Sequence, residues 1–408
     1  LTDFVKFPFS LYKNEKNWVP SLINDELESM DADKNPVFKN ASAWYFMAYR
    51  NGKPVGRIAA IVNQLEIKDQ NKLKMRFGWF DVIDDVEVTK ALIAKVEEIG
   101  RDHQLEWIEG PVGFSNMEKA GILIEGFDYL NTMITWYNFP YYKDHFEELG
   151  FDKAAEWVEF KIKIPKESPE KVAKFARIVV ERYKLNVIHF TKSKEIMPYV
   201  DDMFGLLNKT YNTLSTFVPI QQYQIDHYKE KYIKYINPHY IKCIADENDK
   251  LIAFAITMPS FSKALKKANG KLLPLGFYHL LKARKYNDMA AFYLIGIDPE
   301  YQGKGVTALV FEEMHNLFKH NGITKVETNP ELEDNKATRG QVVREIRKVK
   351  PNIIITSDIY GTTFYQHRDH RKAGRLALDS CYPYARDHLH YPEHIEEGLE
   401  THKVESAF

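Results

Sequence analysis

The 408-residue chain is poor in cysteine, with only Cys243 and Cys381. That excludes a disulfide framework and any metal site built on several thiolates. It also lacks a charge imbalance: 56 Lys and Arg stand against 57 Asp and Glu, a net charge of -1. A protein that grips nucleic acid needs a basic field over the phosphates, so no nucleic-acid partner is expected. No run approaches the roughly 18 apolar residues that a membrane span requires. The opening Leu1-Thr2-Asp3-Phe4 has neither a basic start nor an apolar signal core, so a cytoplasmic location is expected. What is present is a core: 44% of residues are apolar and 28% charged, which excludes wholesale disorder. At about 150 residues per domain the length suits two or three domains.

The opening segment, with Phe7-Pro8-Phe9 and Asn35-Pro36-Val37-Phe38, reads as irregular. Residues 43–50 and 55–62 read as two strands joined at Asn51-Gly52, a strong two-residue hairpin signal. A strand is expected over 77–83. A helix follows, with Ala91, Leu92, Val96 and Ile99 at helical spacing, and then a strand over 106–109. A short helix over 141–149 and a strand over 157–164 close the first module. The order then restarts: a strand over 186–190, two helices, a hairpin over 240–258, and an apolar run over 290–297 that reads as a strand buried on both faces. Val306, Leu309, Val310, Met314 and Phe318 lie on one helical stripe, and 324–328 is the next strand. The expected fold is α/β: one module over residues 1–165, a second over 166–337, and a C-terminal α/β fragment over 338–408.

The stretch from Tyr293 to Val306 carries most of the chemistry. A strand ends, Pro299-Glu300 turns the chain, and Gln302-Gly303-Lys304-Gly305 runs into the first turn of the helix. Glycines let the backbone approach a ligand, and the free amides and dipole of a helix N-terminus favour an anion. No Gly-Lys-Ser/Thr is present to hold magnesium, which disfavours a nucleotidase P-loop. This loop, Gln302-Gly303-Lys304-Gly305-Val306-Thr307, resembles the acetyl-CoA signature of the GNAT acyltransferase superfamily. It departs from that signature at Thr307, where Gly or Ala is usual.

The resemblance implies that the backbone of Ile295, Gly296 and Ile297 holds the pantetheine arm and that Asn335 contacts CoA. A narrower resemblance covers about residues 4–337. It rests on Phe7-Pro8-Phe9-Ser10-Leu11-Tyr12, Val55-Gly56-Arg57-Ile58-Ala59-Ala60, Gly110-Pro111-Val112-Gly113-Phe114-Ser115-Asn116 and Asn329-Pro330-Glu331-Leu332-Glu333-Asp334-Asn335. These look like a tandem-GNAT family that includes bacterial ceramide synthases, which acylate the amine of a long-chain base from acyl-CoA. Two tandem GNAT-like modules with mixed sheets are therefore expected, with acyl-CoA as donor, an amine as acceptor and no metal.

Acyl transfer to an amine needs a polarised carbonyl and a route for the amine proton. Strand amides near Gly296 are candidates for the first. Glu327, then Glu331, are candidates for the base, and Tyr293 for protonating the leaving thiolate. Each also has an ordinary structural reading. The first module has no comparable glycine loop, so it either walls the acceptor pocket or seals the module interface with aromatics. Residues 260–285 interleave Lys263, Lys266, Lys267, Lys271, Lys282, Arg284 and Lys285 with leucines and phenylalanines. That pattern suits a solvated connector helix or peripheral contact with an anionic membrane.

The C-terminal stretch with His367-Arg368-Asp369-His370 resembles the later half of PIG-L/LmbE-type zinc de-N-acetylases, which would make His370 a zinc ligand. The His-Pro-Asp-Asp motif that supplies the other ligands in that family is absent, and one His cannot hold a catalytic zinc. The readings carried forward are an N-acyltransferase, a zinc de-N-acetylase and a non-catalytic acyl-CoA or lipid-binding module.

Overall fold

The structure, a computed structural model, describes every residue except 116, 169, 213–216, 233–235, 333–335, 355–375, 382–384, 387–393, 396 and 408, and no side chain at 171, 331–342 or 407. The chain divides into two compact units, Leu1–Ala154 with Glu159–Pro330, and Ala155–Val158 with Glu331–Phe408.

The first unit opens with helices α1 (Thr2–Leu11) and α2 (Ile23–Ser29). The irregular opening expected from Pro8 is thus not what forms. Proline has no N–H to offer the carbonyl four residues back, which normally breaks a helix. Here that carbonyl, Phe4 O, accepts instead from Arg57 Nη1 at 2.8 Å, while Phe4 and Val5 bury against the sheet.

That sheet contains β1 (Ala41–Arg50) and β2 (Lys53–Asn63), joined through Asn51 and Gly52, both at positive φ as the turn requires. After α3 (Gln64–Lys68) come β3 (Lys74–Val82), α4 (Val86–Asp102), β4 (Trp107–Glu109) and, further on, α5 (Tyr141–Glu148). The order is β1-β2-β3-β4, with β3 and β4 parallel across the α4 crossover and the rest antiparallel.

The strand expected over 157–164 is cut in two. β5 (Trp157–Val158) belongs to the second unit, and β6 (Lys161–Lys163) to the sheet of the second module. Next comes α6 (Glu170–Tyr183), a helix the sequence reading did not anticipate, whose Ala176 and Val179 are core residues. β7 (Asn186–His189), α7 (Val200–Tyr211) and α8 (Gln222–Lys231) lead to the hairpin β8 (Ile241–Ala245) and β9 (Leu251–Pro259). Then follow α9 (Ser262–Ala268), α10 (Gly276–Lys285), β10 (Met289–Ile297), α11 (Val306–His320) and β11 (Lys325–Glu327).

The sheet order is β6-β11-β10-β9-β8-β7. β8-β9-β10-α11-β11 repeats β1-β2-β3-α4-β4, with parallel pairing only across the helix crossover in both. The fold is α/β, with two mixed sheets in the tandem order expected of GNAT-like modules. One face of the second sheet packs on α6 and α11, the other on α7 and α8.

The second unit pairs β5 with β12 (Glu331–Leu332) and continues through α12 (Lys336–Val349) to the short parallel pair β13 (Ile353–Ile354) and β14 (Ser406–Ala407). Val343, Ile346, Cys381 and Ala385 form its small core. His367, Asp369 and His370 lie outside the described residues, as do Asn335 and the side chain of Glu331.

A buried ionic cluster braces the first module. Arg76 donates from Nε and Nη2 to both oxygens of Glu66 at 2.7 Å, and Lys74 Nζ lies 2.9 Å from Glu66. Arg76 Nη1 also reaches Gly113 O at 3.1 Å, tying the cluster to the 111–118 loop. Burial pushes the Glu66 carboxyl up, but Arg76 and Lys74 together hold it below its usual range. Removing one partner of such a cluster strands the others' charge in the interior. Glu66→Ala is therefore expected to cost about 3–5 kcal/mol in urea-induced unfolding. A loss below about 1 kcal/mol, typical of a surface ion pair, would show that the cluster is solvated.

Candidate active site

The turn from β10 into α11 is built on Asp298. Its buried carboxylate accepts from Glu300 N at 3.1 Å, capping a 3-10 turn over Pro299–Tyr301, and from Lys209 Nζ at 2.8 Å. Burial pushes this carboxyl up, yet Lys209, the Glu300 amide and Lys250 hold it below the usual range. Gln302 folds back, donating from Nε2 to Ile297 O at 3.1 Å.

Gly303 (φ +71°) and Gly305 (φ +85°) then take left-handed conformations, and Gly305 is the N-cap of α11 with no side chain to close the helix. Among the described residues, the N–H groups of Gly303, Gly305, Val306 and Thr307 have no acceptor. This is an anion cradle of amides at the positive end of a helix dipole. Val306 contributes only its amide, because its side chain is in the core. Lys304 Nζ lies 5.1 Å from the Tyr301 ring centre and 5.6 Å from that of Tyr183, so its charge sits beside the loop on a pair of aromatic faces.

The corresponding turn of the first module is closed. Asp85 is the N-cap of α4; its carboxylate accepts from Glu87 N at 3.1 Å and pairs with Arg50. The helix end already holds an anion of its own. The two modules thus differ in whether a side chain caps the helix start.

β10 itself departs from the buried strand expected of its apolar run. It pairs with β11 only over Met289–Ala291, and among the described residues its outer edge from Phe292 onward has no strand partner. Its register against β9 slips between Phe292 and Leu294, leaving Tyr293 as a bulge. Phe292 packs toward α6 and α11, Tyr293 and Leu294 both face α7 and α8, and Ile295 and Ile297 return to the first face. Residues 292–295 are accordingly half-buried.

The bulge also decides which amides are available. Asp298 N donates to Ile252 O at 2.8 Å, and by strand alternation Gly296 N–H points the same way, toward β9. Of the strand amides near Gly296, those of its two neighbours, Ile295 and Ile297, are the ones that point away from β9. Their carbonyls are partly engaged, Ile295 O by Tyr211 Oη at 3.0 Å and Ile297 O by Gln302.

Among the candidate bases, Glu327 lies on β11 opposite Ala291, where β10 and β11 part. Its Oε2 accepts from Ser260 Oγ at 3.2 Å. Burial pushes its carboxyl up, against Lys161, Ser260 and Lys263. Glu159 is its neighbour, pushed up to about 7 by burial and by the Glu327 charge, against its hydrogen bonds to Thr132 and Thr135. Glu331 is the β12 residue opposite Val158.

Tyr293 lies two residues along β10 from Ala291, the register partner of Glu327. Burial pushes its hydroxyl up to about 12, with added contributions from Tyr232 and from Glu118 of the first module. Glu118 was not among the residues singled out from sequence, although it lies just beyond the Gly110–Asn116 motif. Its Oε2 accepts from Phe114 N at 2.6 Å, a closeness possible only because Gly113 has no Cβ to meet it. Burial pushes this carboxyl up to about 7, aided by Glu26 and opposed by the Phe114 amide and Arg76.

No family model matches the chain. Protein YghO of Escherichia coli (strain K12) is 27% identical over 354 residues, covering 84% of this chain and 89% of the relative. The bacterial ceramide synthase of Caulobacter vibrioides (strain NA1000 / CB15N) is 24% identical over 348 residues, covering 83% and 89%. A solved structure described as a tandem GNAT protein from the clavulanic acid biosynthesis pathway matches with a TM-score of 0.45 and 10% identity, over 83% of this chain and 87% of that one. The resemblance read from the motifs is thus supported by a curated relative of the same named class, along most of both chains.

The Glu159–Glu327 pair makes a pH-dependent prediction. Glu159 titrates near 7 when folded and near the ordinary carboxyl range when unfolded, so its contribution to stability is complete below about pH 4.3 and is lost as pH rises through 7. Glu159→Gln mimics the protonated acid. Its melting temperature is expected to exceed wild type at pH 8 and to converge with it at pH 4.5. An equal difference at both pH values would show that Glu159 is not enclosed.

Proposed function

We propose that the protein is an acyl-CoA-dependent N-acyltransferase with its donor site in the second module. The observation that carries this reading is the juxtaposition of an uncapped glycine-rich helix start with a strand whose far edge is open. The amides of Gly303, Gly305, Val306 and Thr307 suit a pyrophosphate, and the outward edge at Ile295 and Ile297 suits the amide-bearing arm of CoA running alongside it. A thioester carbonyl held at this edge is polarised by backbone N–H donors, which act most strongly where water is excluded. Asn335 remains part of the proposed CoA site on the strength of the motif resemblance.

The acceptor we propose is a long-chain amine, in keeping with the ceramide synthase relative. A surface patch supports it. Around α10, Leu273 (73% exposed), Leu275 (63%), Leu281 (56%) and Tyr286 (66%) stand out from the protein among the exposed Lys271, Lys282, Arg284 and Lys285. Apolar side chains clustered this way with cations suit the interface of an anionic bilayer, where a lipid amine resides. No helix among the described residues is long and apolar enough to cross a membrane, so this contact is peripheral.

The donor site is tested at Gly303, not Gly305. A Cβ on Gly305 would run into Phe175 and come within 2.9 Å of Val179, so a substitution there disturbs the packing of α6. Gly303 has open space around it, and Gly303→Ala costs only the left-handed strain of about 1–2 kcal/mol. Calorimetric titration with CoA is expected to show affinity reduced about tenfold or more, ~1.4 kcal/mol, for Gly303→Ala. Unchanged affinity would exclude this loop.

The acceptor is tested by thiol release from palmitoyl-CoA with sphinganine, against acetyl-CoA with a small polar amine. Faster turnover of the long-chain pair is expected, and the reverse preference would remove the lipid assignment. Wild type is also expected to sediment with phosphatidylserine vesicles, less so at 1 M salt, where the screening length falls to about 3 Å. Leu273→Ser/Leu275→Ser is expected to stay in the supernatant, and sedimentation equal to wild type would show that the patch is not the contact.

A further inference from the structure

We infer that Glu118, a residue of the first module, is the base that takes the proton from the attacking amine at the acyl site of the second. The inference rests on the acyltransferase reading and names the proton acceptor that reading requires.

The geometry begins with the 111–118 loop, which is held rigidly. Val112 N donates to Phe77 O at 2.7 Å, Gly121 N to Pro111 O at 2.7 Å, and Gly113 N to Lys119 O at 3.1 Å. Arg76, itself clamped by Glu66, fixes Gly113 O from below. The loop reaches the apolar core that the bulged strand also faces. Met117 packs against the same core as Tyr211, Tyr228, Tyr293 and Leu294, and Ser115 bonds the Tyr228 hydroxyl. One residue on, Glu118 has Oε2 on the Phe114 amide, while Oε1 has no hydrogen-bond partner among the described residues. A fixed carboxylate with one oxygen bound and one open is suited to accepting a proton.

The groups that face Glu118 set its titration. Glu26 from α2 and Arg76 from β3 act on it directly, and its own charge acts on Tyr45 of β1, Tyr228 of α8 and Tyr293 of β10. The carboxyl at about 7 is poised for proton transfer at neutral pH. Glu327, by contrast, is hydrogen-bonded to Ser260 and faces Glu159, Lys161 and Lys263.

In the step proposed, the lone pair of the neutral amine attacks the thioester carbonyl carbon. The N–C bond forms and the C–S bond breaks, with its electron pair passing to sulfur. The proton lost from nitrogen goes to Glu118, and one proton reaches the thiolate from the Tyr293 hydroxyl, which Glu118 then restores. Amide and free thiol are the products, and the side chains end as they began.

The experiment compares wild type, Glu118→Gln and Glu327→Gln with palmitoyl-CoA and sphinganine between pH 5.5 and 9. Glu118→Gln is expected to lower kcat by about 10²–10⁴-fold at pH 7 and to abolish the rise of kcat with pH, while Glu327→Gln stays within a few-fold of wild type. Two readouts are independent of turnover: the CoA dissociation constant of Glu118→Gln stays at the wild-type value, and its melting temperature exceeds wild type at pH 8 but not at pH 4.5. Wild-type kcat and pH profile in Glu118→Gln, or equal melting differences at both pH values, would overturn the assignment. So would loss of the profile in Glu327→Gln alone. Absence of wild-type turnover with any amine overturns the acyltransferase reading itself, and this inference with it.

Discussion

The extra residue at Tyr293 is the constraint on which the site depends. A strand alternates its side chains with a period of two, so one inserted residue reverses the phase of everything after it. Without the bulge, Leu294 would face α6 and α11, and Ile295 would face the aromatic cluster. With it, Tyr293 and Leu294 together face α7, α8 and the first module's loop, and Ile295 and Ile297 stay in the opposite core. The same slip coincides with the parting of β10 from β11 after Ala291. One local irregularity thus falls where the strand pairing ends and turns Tyr293 and Leu294 to the same face.

The two modules show how a shared connectivity is divided between roles. Both run strand, strand, strand, helix, parallel strand, and in both the crossover helix follows the third of these strands. In the first, Asp85 satisfies the helix start with its own carboxylate. In the second, Gly305 leaves the amides free, and Asp298 is drawn back beneath the loop by Lys209, away from them. A carboxylate at a helix start competes with a phosphate for the same donors, so of the two helix starts the uncapped one suits the anion proposed here. The first module keeps its buried Glu66–Arg76–Lys74 cluster and lends its rigidity to the loop that carries Glu118.

Much of this was legible in the sequence, for reasons local to the chain. Asn51-Gly52 demands a tight hairpin, and the glycines at 303 and 305 before an amphipathic stripe demand a loop entering a helix. Other features depend on partners far away in sequence. The opening helix survives Pro8 only because Arg57 reaches the stranded Phe4 carbonyl. The bulge hides in an unbroken apolar run, where either phase of the strand looks alike. Glu118 appears as one carboxylate after an aromatic turn, and only the packing of Met117 and Ser115 against the second module shows what it faces. Glu327 stood out because it lies near the strand end, yet its surroundings are Ser260, Glu159 and lysines.

The central claim is that one helix start of the two is open to the anionic end of acyl-CoA. Amide hydrogen exchange with and without CoA tests it most directly. Slowed exchange is expected at the amides of Gly303, Gly305, Val306 and Thr307, with none at Val86–Val88 of the first module. Protection confined to the first module, or no change at 303–307 under saturating CoA, would contradict it.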